Sequence, residues 1–583
     1  MNVKNILEQK IIQAVKELYD IEIDDVHIEH PEEESHGDFA TNVSFVLAKK
    51  IDKNPTEIGK ELADQIQSYD LAFSYDEKEY PLFTNIEVAA PGFVNFYVSL
   101  NYYKKIIRQV IEEKDNYGVH RFEKEKNLMV EYSQPNPNKP MHVGHARNNF
   151  LGSSLANILG FYGYNVIKAN YMNNWSRSIC MPMLMYKKYF AGEEPDKKSD
   201  HFVGDLYARY TKEAEQNPEL KEELAQMFRD LEAGDPETVK LWEKILNFAY
   251  KGWKNTYEQE KVDFDVWFYQ DEYKDSGKDI VNQALQKDIA YKDESGAVVA
   301  KLEEYNLPNK VLLRSDGTSI YVTQDLQLAK DTFEKYNLDK RLYIVDCRQS
   351  GYFKQLFKLV ELLGFDFADK LYHVGYGFVD LPEGAMSSRY NMVVTADEVY
   401  ETLVGLEEQE IKESIKSVSN LEQTAKKLAL AAFRYGLLKV DPKQNVTFEF
   451  DKVTKFEGNT GPYLMYTYAR AGSIMEKAGL IKESYVPSAF FNAEADPLEE
   501  TLARNLSMFS EIVEKCAQEM TPHYLANYLF DVCQKFNSFY AKIPVIKSEN
   551  EVQLDFRLSL CMAVSVILKN GLKLLGIDVV EKM

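Results

Sequence analysis

The sequence predicts an α/β protein in three parts: a doubly wound parallel-sheet domain, an α+β module before it and an all-α bundle after it. Between residues 120 and 400, short β-branched runs alternate with helical stretches, the pattern of strand–helix–strand units that build a parallel sheet. From about Leu406 onward, apolar residues recur almost only at helical spacing. The first 115 residues mix both periods.

Taken in order, residues 1–115 carry helical patterns at 6–18 and 42–50 and short strands at 85–89 and 93–98. Residues 116–404 begin with a strand over 127–133, followed by a helix starting near His145. Further strands are expected at 165–170, 341–346 and 372–379, with an acidic, mostly helical insertion at about 190–300. A parallel sheet of this kind is Rossmann-like, and its ligand crevice lies at the C-terminal ends of its strands. Residues 405–583 hold amphipathic runs at 424–439, 459–479, 498–518 and 557–575, which read as a helical bundle.

Composition narrows the function classes. With 45% apolar and 13% aromatic residues the chain has ample material for large cores, and its 38 tyrosines read mostly as packing. No stretch approaches 18 uninterrupted apolar residues, so no membrane span is expected. The N-terminus leads into a charged amphipathic helix rather than an apolar signal core. Cys180, Cys347, Cys516, Cys533 and Cys561 are scattered without C-x-x-C spacing, which predicts free thiols in the cytoplasm and argues against a zinc site. A net charge of −23 argues against a nucleic-acid partner at face value, but local patches decide binding. From Leu421 onward about 19 basic residues face about 20 acidic ones, so a polyanion can be accommodated there.

The most informative stretch is Pro137-Asn138-Lys139-Pro140-Met141-His142-Val143-Gly144-His145, at a strand-to-helix junction. A helix N-terminus offers unpaired N–H groups and a partial positive charge to phosphate oxygens. Gly144 permits close backbone approach, Lys139 adds a point charge, and both imidazoles can donate to the oxygens of the phosphate that becomes pentavalent. With Glu131-Tyr132-Ser133-Gln134-Pro135-Asn136, this stretch resembles the first signature of class I aminoacyl-tRNA synthetases in its arginyl form.

That resemblance covers nearly the whole chain. Residues 35–42 and 90–96 resemble the N-terminal module peculiar to arginyl enzymes, which contacts the tRNA corner; their residue chemistry alone reads as a turn and a helix cap. Residues 459–470, 536–540 and 568–577 resemble the anticodon-binding helices, where Tyr463, Tyr466 and Arg470 share one helical face and are expected to bind tRNA. A guanidinium offers five donors and no acceptor, so carboxylates and amide or hydroxyl oxygens must hold it. The resemblance assigns arginine binding to Glu131, Asn136, Tyr321, Asp325 and Gln349, with Asp325 and Tyr321 facing the guanidinium. It assigns ATP to Lys139, His142, Gly144, His145, Met386, Ser387 and Ser388.

The chain departs from that family where phosphate is handled. The K-M-S-K-S loop of class I enzymes corresponds to Ala385-Met386-Ser387-Ser388-Arg389, without either lysine. Lys139 is expected to stand in for the second lysine, and Arg389 to supply a cation alongside His142 and His145. Thr395-Ala396-Asp397-Glu398 has the form of a capping box opening the next helix. Asn174-Trp175-Ser176 replaces the usual D-W-G, and Ser350 and Tyr352 replace a pair of histidines after Gln349. The implied activity is arginine–tRNA ligation with ATP, Mg²⁺ and tRNA(Arg), by a monomer. The alternatives are a degenerate paralogue that binds tRNA or arginine with weak chemistry, and another H-x-G-H nucleotidyltransferase acting on a small acid.

Overall fold

The structure is a computed structural model that describes residues 3–31, 33–382, 394–414, 420–487, 490–548 and 550–583, without the side chains of Glu34 and Glu483. Two compact units emerge. The larger joins Asp115–Ser473, Met508–Asn537 and Val564–Met583, and the smaller joins Met1–Lys114, Ile474–Ser507 and Ser538–Ala563.

At the centre of the larger unit is a five-stranded, all-parallel sheet made of β1 (Asn127–Glu131), β2 (Asn165–Met172), β3 (Val266–Tyr269), β4 (Lys340–Asp346) and β5 (Leu371–Tyr376). Its spatial order is β5-β4-β1-β2-β3. The chain therefore runs outward from β1 to β3, then returns to β1's other side, so the order reverses between β1 and β4. In open α/β sheets that reversal point is where a crevice opens at the strand ends. Glu131, the last residue of β1, lies opposite Ala169 of β2 and Tyr343 of β4.

Helix α1 (Val143–Phe161) follows β1 and is buried on nearly every side, consistent with its low amphipathicity and many small residues. Helices α2 (Tyr321–Tyr336) and α3 (Ser350–Leu363) flank β4 and bury Leu326, Leu328, Leu356 and Val360 in one apolar core with Met129 and Ala169. The insertion is helical over Ser199–Gln216, Glu219–Glu232 and Pro236–Glu260, but it then supplies β3 and two strands, Ala290–Lys292 and Val298–Ala300, of a three-stranded antiparallel sheet completed by Lys310–Leu313. Those strands were not anticipated, because each has only three or four residues, too few for a period to show. The expected run at 498–518 is two helices, Pro497–Ser507 and Phe509–Glu519.

The smaller unit contains a four-stranded antiparallel sheet in which Phe39–Thr41 pairs with Phe93–Val98. The two N-terminal segments singled out by resemblance are thus neighbours, with Phe39 opposite Phe96 and Thr41 opposite Val94. Gly37 adopts φ +87°, and a Cβ there would lie 2.8 Å from the Phe96 carbonyl oxygen. Asp38 accepts from the Val98 N–H at 2.7 Å, which fixes the turn. Among the described residues no helix is long and apolar enough to cross a membrane, and all five cysteines are free.

Candidate active site

A cavity of about 870 Å³ opens at the reversal point between β1 and β4. Its walls include Glu131, Asn136, Lys139, His142, Gly144, His145, Tyr321, Asp325 and Gln349, so nine residues expected from the sequence meet in one space. Met386, Ser387, Ser388 and Arg389 lie outside the described residues.

The chain leaves β1 through Ser133 (φ +79°) and Gln134 (φ +50°), a backbone reversal held by side-chain amides. Asn148 on α1 accepts from the Ser133 N–H at 2.7 Å and donates to the Ile344 carbonyl at 2.9 Å and the Tyr376 hydroxyl at 3.1 Å. One side chain thereby ties the exits of β1, β4 and β5 together. Asn170 accepts from the Gln134 N–H at 3.0 Å, and Asn173 donates to the Asn136 side-chain oxygen at 3.1 Å.

His142 is the N-cap of α1. Its Nδ1 accepts from the Gly144 N–H at 3.1 Å, while Nδ1 of His145 accepts from the His142 N–H at 3.1 Å. Two imidazoles thus form a reciprocal capping box, with ring centroids 3.8 Å apart. An Nδ1 that accepts is unprotonated, so the neutral ring carries its proton on Nε2. Burial, then the charges of Lys139 and Arg348, push the His142 pKa down to about 4. Burial drives His145 well below the ordinary imidazole value. Near neutral pH both rings are uncharged Nε2–H donors. The glycine between them has a local reason as well: a Cβ at Gly144 would lie 2.9 Å from His142 Cε1.

Positive charge at this end comes from Lys139, whose pKa burial lowers, and from Arg348. Arg348 is held by Asp346 through two bonds of 3.0 and 2.8 Å and lies over the Phe378 ring. No unpaired carboxylate faces His142 among the described residues, since Asp346 is engaged by Arg348. A Mg²⁺ site made by the chain alone does not fit this set of nitrogen donors. Mg²⁺ commonly keeps its waters and binds through substrate phosphates.

The other end is built around carboxylates. Glu131 is buried and paired with Arg341 on β4, and its second oxygen accepts from Gln134 at 2.8 Å. Arg341 also donates through Nη1 to Thr332 and to the Leu328 carbonyl, while its buried Nε has no hydrogen-bond partner among the described residues. Asp325 on α2 accepts from the Tyr352 hydroxyl on α3. Burial raises its pKa to about 7. Tyr171, Tyr343 and Lys310 complete this wall. Tyr321 opens α2 with 52% of its surface exposed, and Gln349 is exposed at the start of α3.

Arg341, Lys310 and Arg348 were not legible as site residues. Arg341 opens an apolar run and reads as a strand's solvent end, yet it is fully buried. Asn174 lies outside the cavity, exchanging hydrogen bonds with Asp271 at 2.6 and 3.1 Å. Asn174 is therefore a structural tie in this chain.

The far root of the 383–393 segment joins the site through backbone. Thr395 bridges to His142, the Val143 N–H donates to the Val394 carbonyl at 3.3 Å, and the Ala396 N–H donates to that of Met141 at 2.9 Å. Thr395 and Glu398 form the expected capping box, with bonds of 2.9 to 3.2 Å. Beyond it, Asp397 accepts from Lys198 at 2.5 Å and His201 at 2.7 Å.

Tyr463, Tyr466 and Arg470 lie half-buried on the helix Gly461–Lys477. Asn537 donates to the Tyr463 hydroxyl at 2.8 Å and accepts from Arg470, whose guanidinium lies 4.8 Å from the Tyr466 ring centroid.

Comparison with known proteins gives the family. The sequence matches the family described as tRNA synthetases class I (R), catalytic domain, over residues 106–450. It also matches the DALR anticodon binding domain over 464–583 and the arginyl tRNA synthetase N terminal domain over 5–98. An arginine–tRNA ligase of Parabacteroides distasonis is 35% identical across 99% of this chain and 100% of its own length. One of Treponema denticola is 35% identical across 96% of this chain and 95% of its own. Arginyl-tRNA synthetase of Thermus thermophilus superposes with a TM-score of 0.82 at 26% identity, covering 100% of each chain. That of Plasmodium falciparum, at 20% identity, shares the fold with a TM-score of 0.83, over 100% of this chain and 99% of its own. The chain belongs to the class I arginyl-tRNA synthetases, the arginine–tRNA ligases.

Proposed function

We propose that the cavity between β1 and β4 activates L-arginine, with the guanidinium at Asp325 and the ATP phosphates at Lys139, His142 and His145. The observation that carries this reading is the division of one cavity into a carboxylate end and a donor end. Glu131 is neutralised by Arg341, so Asp325 is the carboxylate left to hold a cation, with Tyr321, Asn136 and Gln349 available to complete its donors' shell.

In the first step an arginine carboxylate oxygen attacks the α-phosphorus in line. The bond from that phosphorus to the bridging oxygen breaks, and pyrophosphate leaves. The Nε2–H groups of His142 and His145 donate to the phosphate oxygens as charge builds, and Lys139 neutralises them without a proton transfer. Gly144 lets the nucleotide approach the backbone closely, while the first-turn N–H groups of α1 are already engaged within the protein. Mg²⁺ would be held by the ATP phosphates and its own waters and would add positive charge there. The resemblance also assigns Met386, Ser387, Ser388 and Arg389 to the ATP phosphates. In the second step the 2′-hydroxyl of the terminal tRNA adenosine attacks the adenylate carbonyl and AMP leaves.

The tRNA reading divides the chain into a tRNA-contacting module (1–115), a catalytic domain (116–404) and an anticodon-binding domain (405–583). Tyr463, Tyr466 and Arg470 offer stacking faces and a cation to splayed bases. A cytoplasmic monomer is consistent with five free thiols. Arginine-dependent pyrophosphate exchange, run with and without tRNA(Arg), tests the whole reading; transfer of a different amino acid under the same conditions would overturn it.

A further inference from the structure

Tyr352 lines the cavity but has no part in the reaction scheme above. Its hydroxyl donates to Asp325, its ring lies edge-on to Phe353 with centroids 5.5 Å apart, and the Lys310 ammonium sits 4.9 Å from its ring centre. The phenol is thus held by three neighbours and spends its single donor on the carboxylate.

We propose that Tyr352 is a specificity-determining positioning residue, which clamps one oxygen of Asp325 and turns the other toward the arginine guanidinium. The inference rests on the assignment of Asp325 to the guanidinium and adds the element that orients it. A phenol suits the task because it donates a hydrogen bond without bringing positive charge, so the carboxylate keeps its attraction for a cationic ligand. Two cations act on Asp325, Arg341 and Lys310; Arg341 is paired with Glu131, and the Tyr352 ring gives the Lys310 ammonium an alternative partner.

The groups around Asp325 make the clamp titratable. Glu131 and the Tyr171, Tyr343 and Tyr352 rings face it from β1, β2, β4 and α3, with Arg341 from β4 and Lys310 from the strand Lys310–Leu313. Burial favours the protonated acid, and the Tyr352 bond opposes that by favouring the ionised form. Loss of the hydroxyl therefore leaves less carboxylate at neutral pH, and a higher pH restores it.

The test is Tyr352→Phe, an isosteric change, assayed by arginine-dependent pyrophosphate exchange with tRNA present. Expected is a KM for arginine raised about tenfold at pH 7, as for one hydrogen bond to a charged group. The penalty should shrink severalfold by pH 9, while KM for ATP stays constant. A KM penalty equal at both pH values would mark a purely structural role and overturn the proposal, as would no penalty. Asp325→Asn separates the two levels. If it leaves KM for arginine unchanged, the guanidinium assignment fails. If it raises KM while Tyr352→Phe behaves as wild type, only the clamp fails.

Discussion

His142 accepts the Gly144 N–H through Nδ1, and that single bond decides which proton the imidazole presents to the cavity. Structure and chemistry are therefore separable at this residue. His142→Asn keeps an acceptor near Nδ1 and loses the Nε2–H, so it should hold the wild-type melting temperature and lose about 10²–10³ in exchange rate. His142→Gln should do the reverse in part, restoring a donor while weakening the helix cap by roughly 0.5–2 kcal/mol. Thermal melts and exchange assays on the pair check the split.

Lys139 is the next target. With Ala385 and Ser388 in place of the usual signature lysines, removal of this ammonium by Lys139→Met should cost on the order of a hundredfold in pyrophosphate exchange. KM for arginine should move less than twofold, since Lys139 lies with His142 rather than Asp325. Ala385→Lys in the Lys139→Met background should recover part of the loss.

The Arg341–Glu131 pair predicts a stability effect. Both side chains are buried, so Glu131→Gln leaves an uncompensated guanidinium under the sheet and should cost roughly 3–5 kcal/mol. Denaturant melts would show this as a lower midpoint. Restoring an apolar pair with Glu131→Leu and Arg341→Met together should recover much of it.

Asp325 sets an acid limit on arginine binding. Burial holds its pKa up at about 7, and only the ionised form attracts a guanidinium. KM for arginine should therefore rise progressively as pH falls below 7. A flat KM between pH 6 and 8 would contradict this.

His201 gives stability the opposite slope. Its hydrogen bond to Asp397 holds its pKa above the free imidazole value despite burial. A raised pKa stabilises fully below the unfolded value near 6.5 and loses that contribution as pH climbs through the folded one. Burial pushes Asp397 up, but His201 and Lys198 outweigh it, so its contribution persists until pH falls below the ordinary carboxylate range. Melting temperature should decline from pH 6 toward pH 8, and His201→Gln should flatten that decline.

Much of this site was legible because it lies where the chain changes period. Pro137 to His145 joins a strand to a helix, and Glu131, Tyr321, Asp325 and Gln349 fall at or beside element ends. Arg341 and Lys310 stayed hidden because they sit in strands whose burial depends on partners distant in sequence. The strand Val266–Tyr269 was missed because it is short and follows a long helical insertion. Tyr352 stood out as a substitution, but only the fold places it against Asp325.

The bridge between His142 and Thr395 uses main-chain groups alone. Peptide N–H and C=O groups are common to nearly every residue, so the ties made by Val394, Thr395 and Ala396 do not depend on their side chains. The start of the catalytic helix is thus framed independently of the side chains that carry the site's cations. A site assembled this way can reassign its cations while its frame stands still.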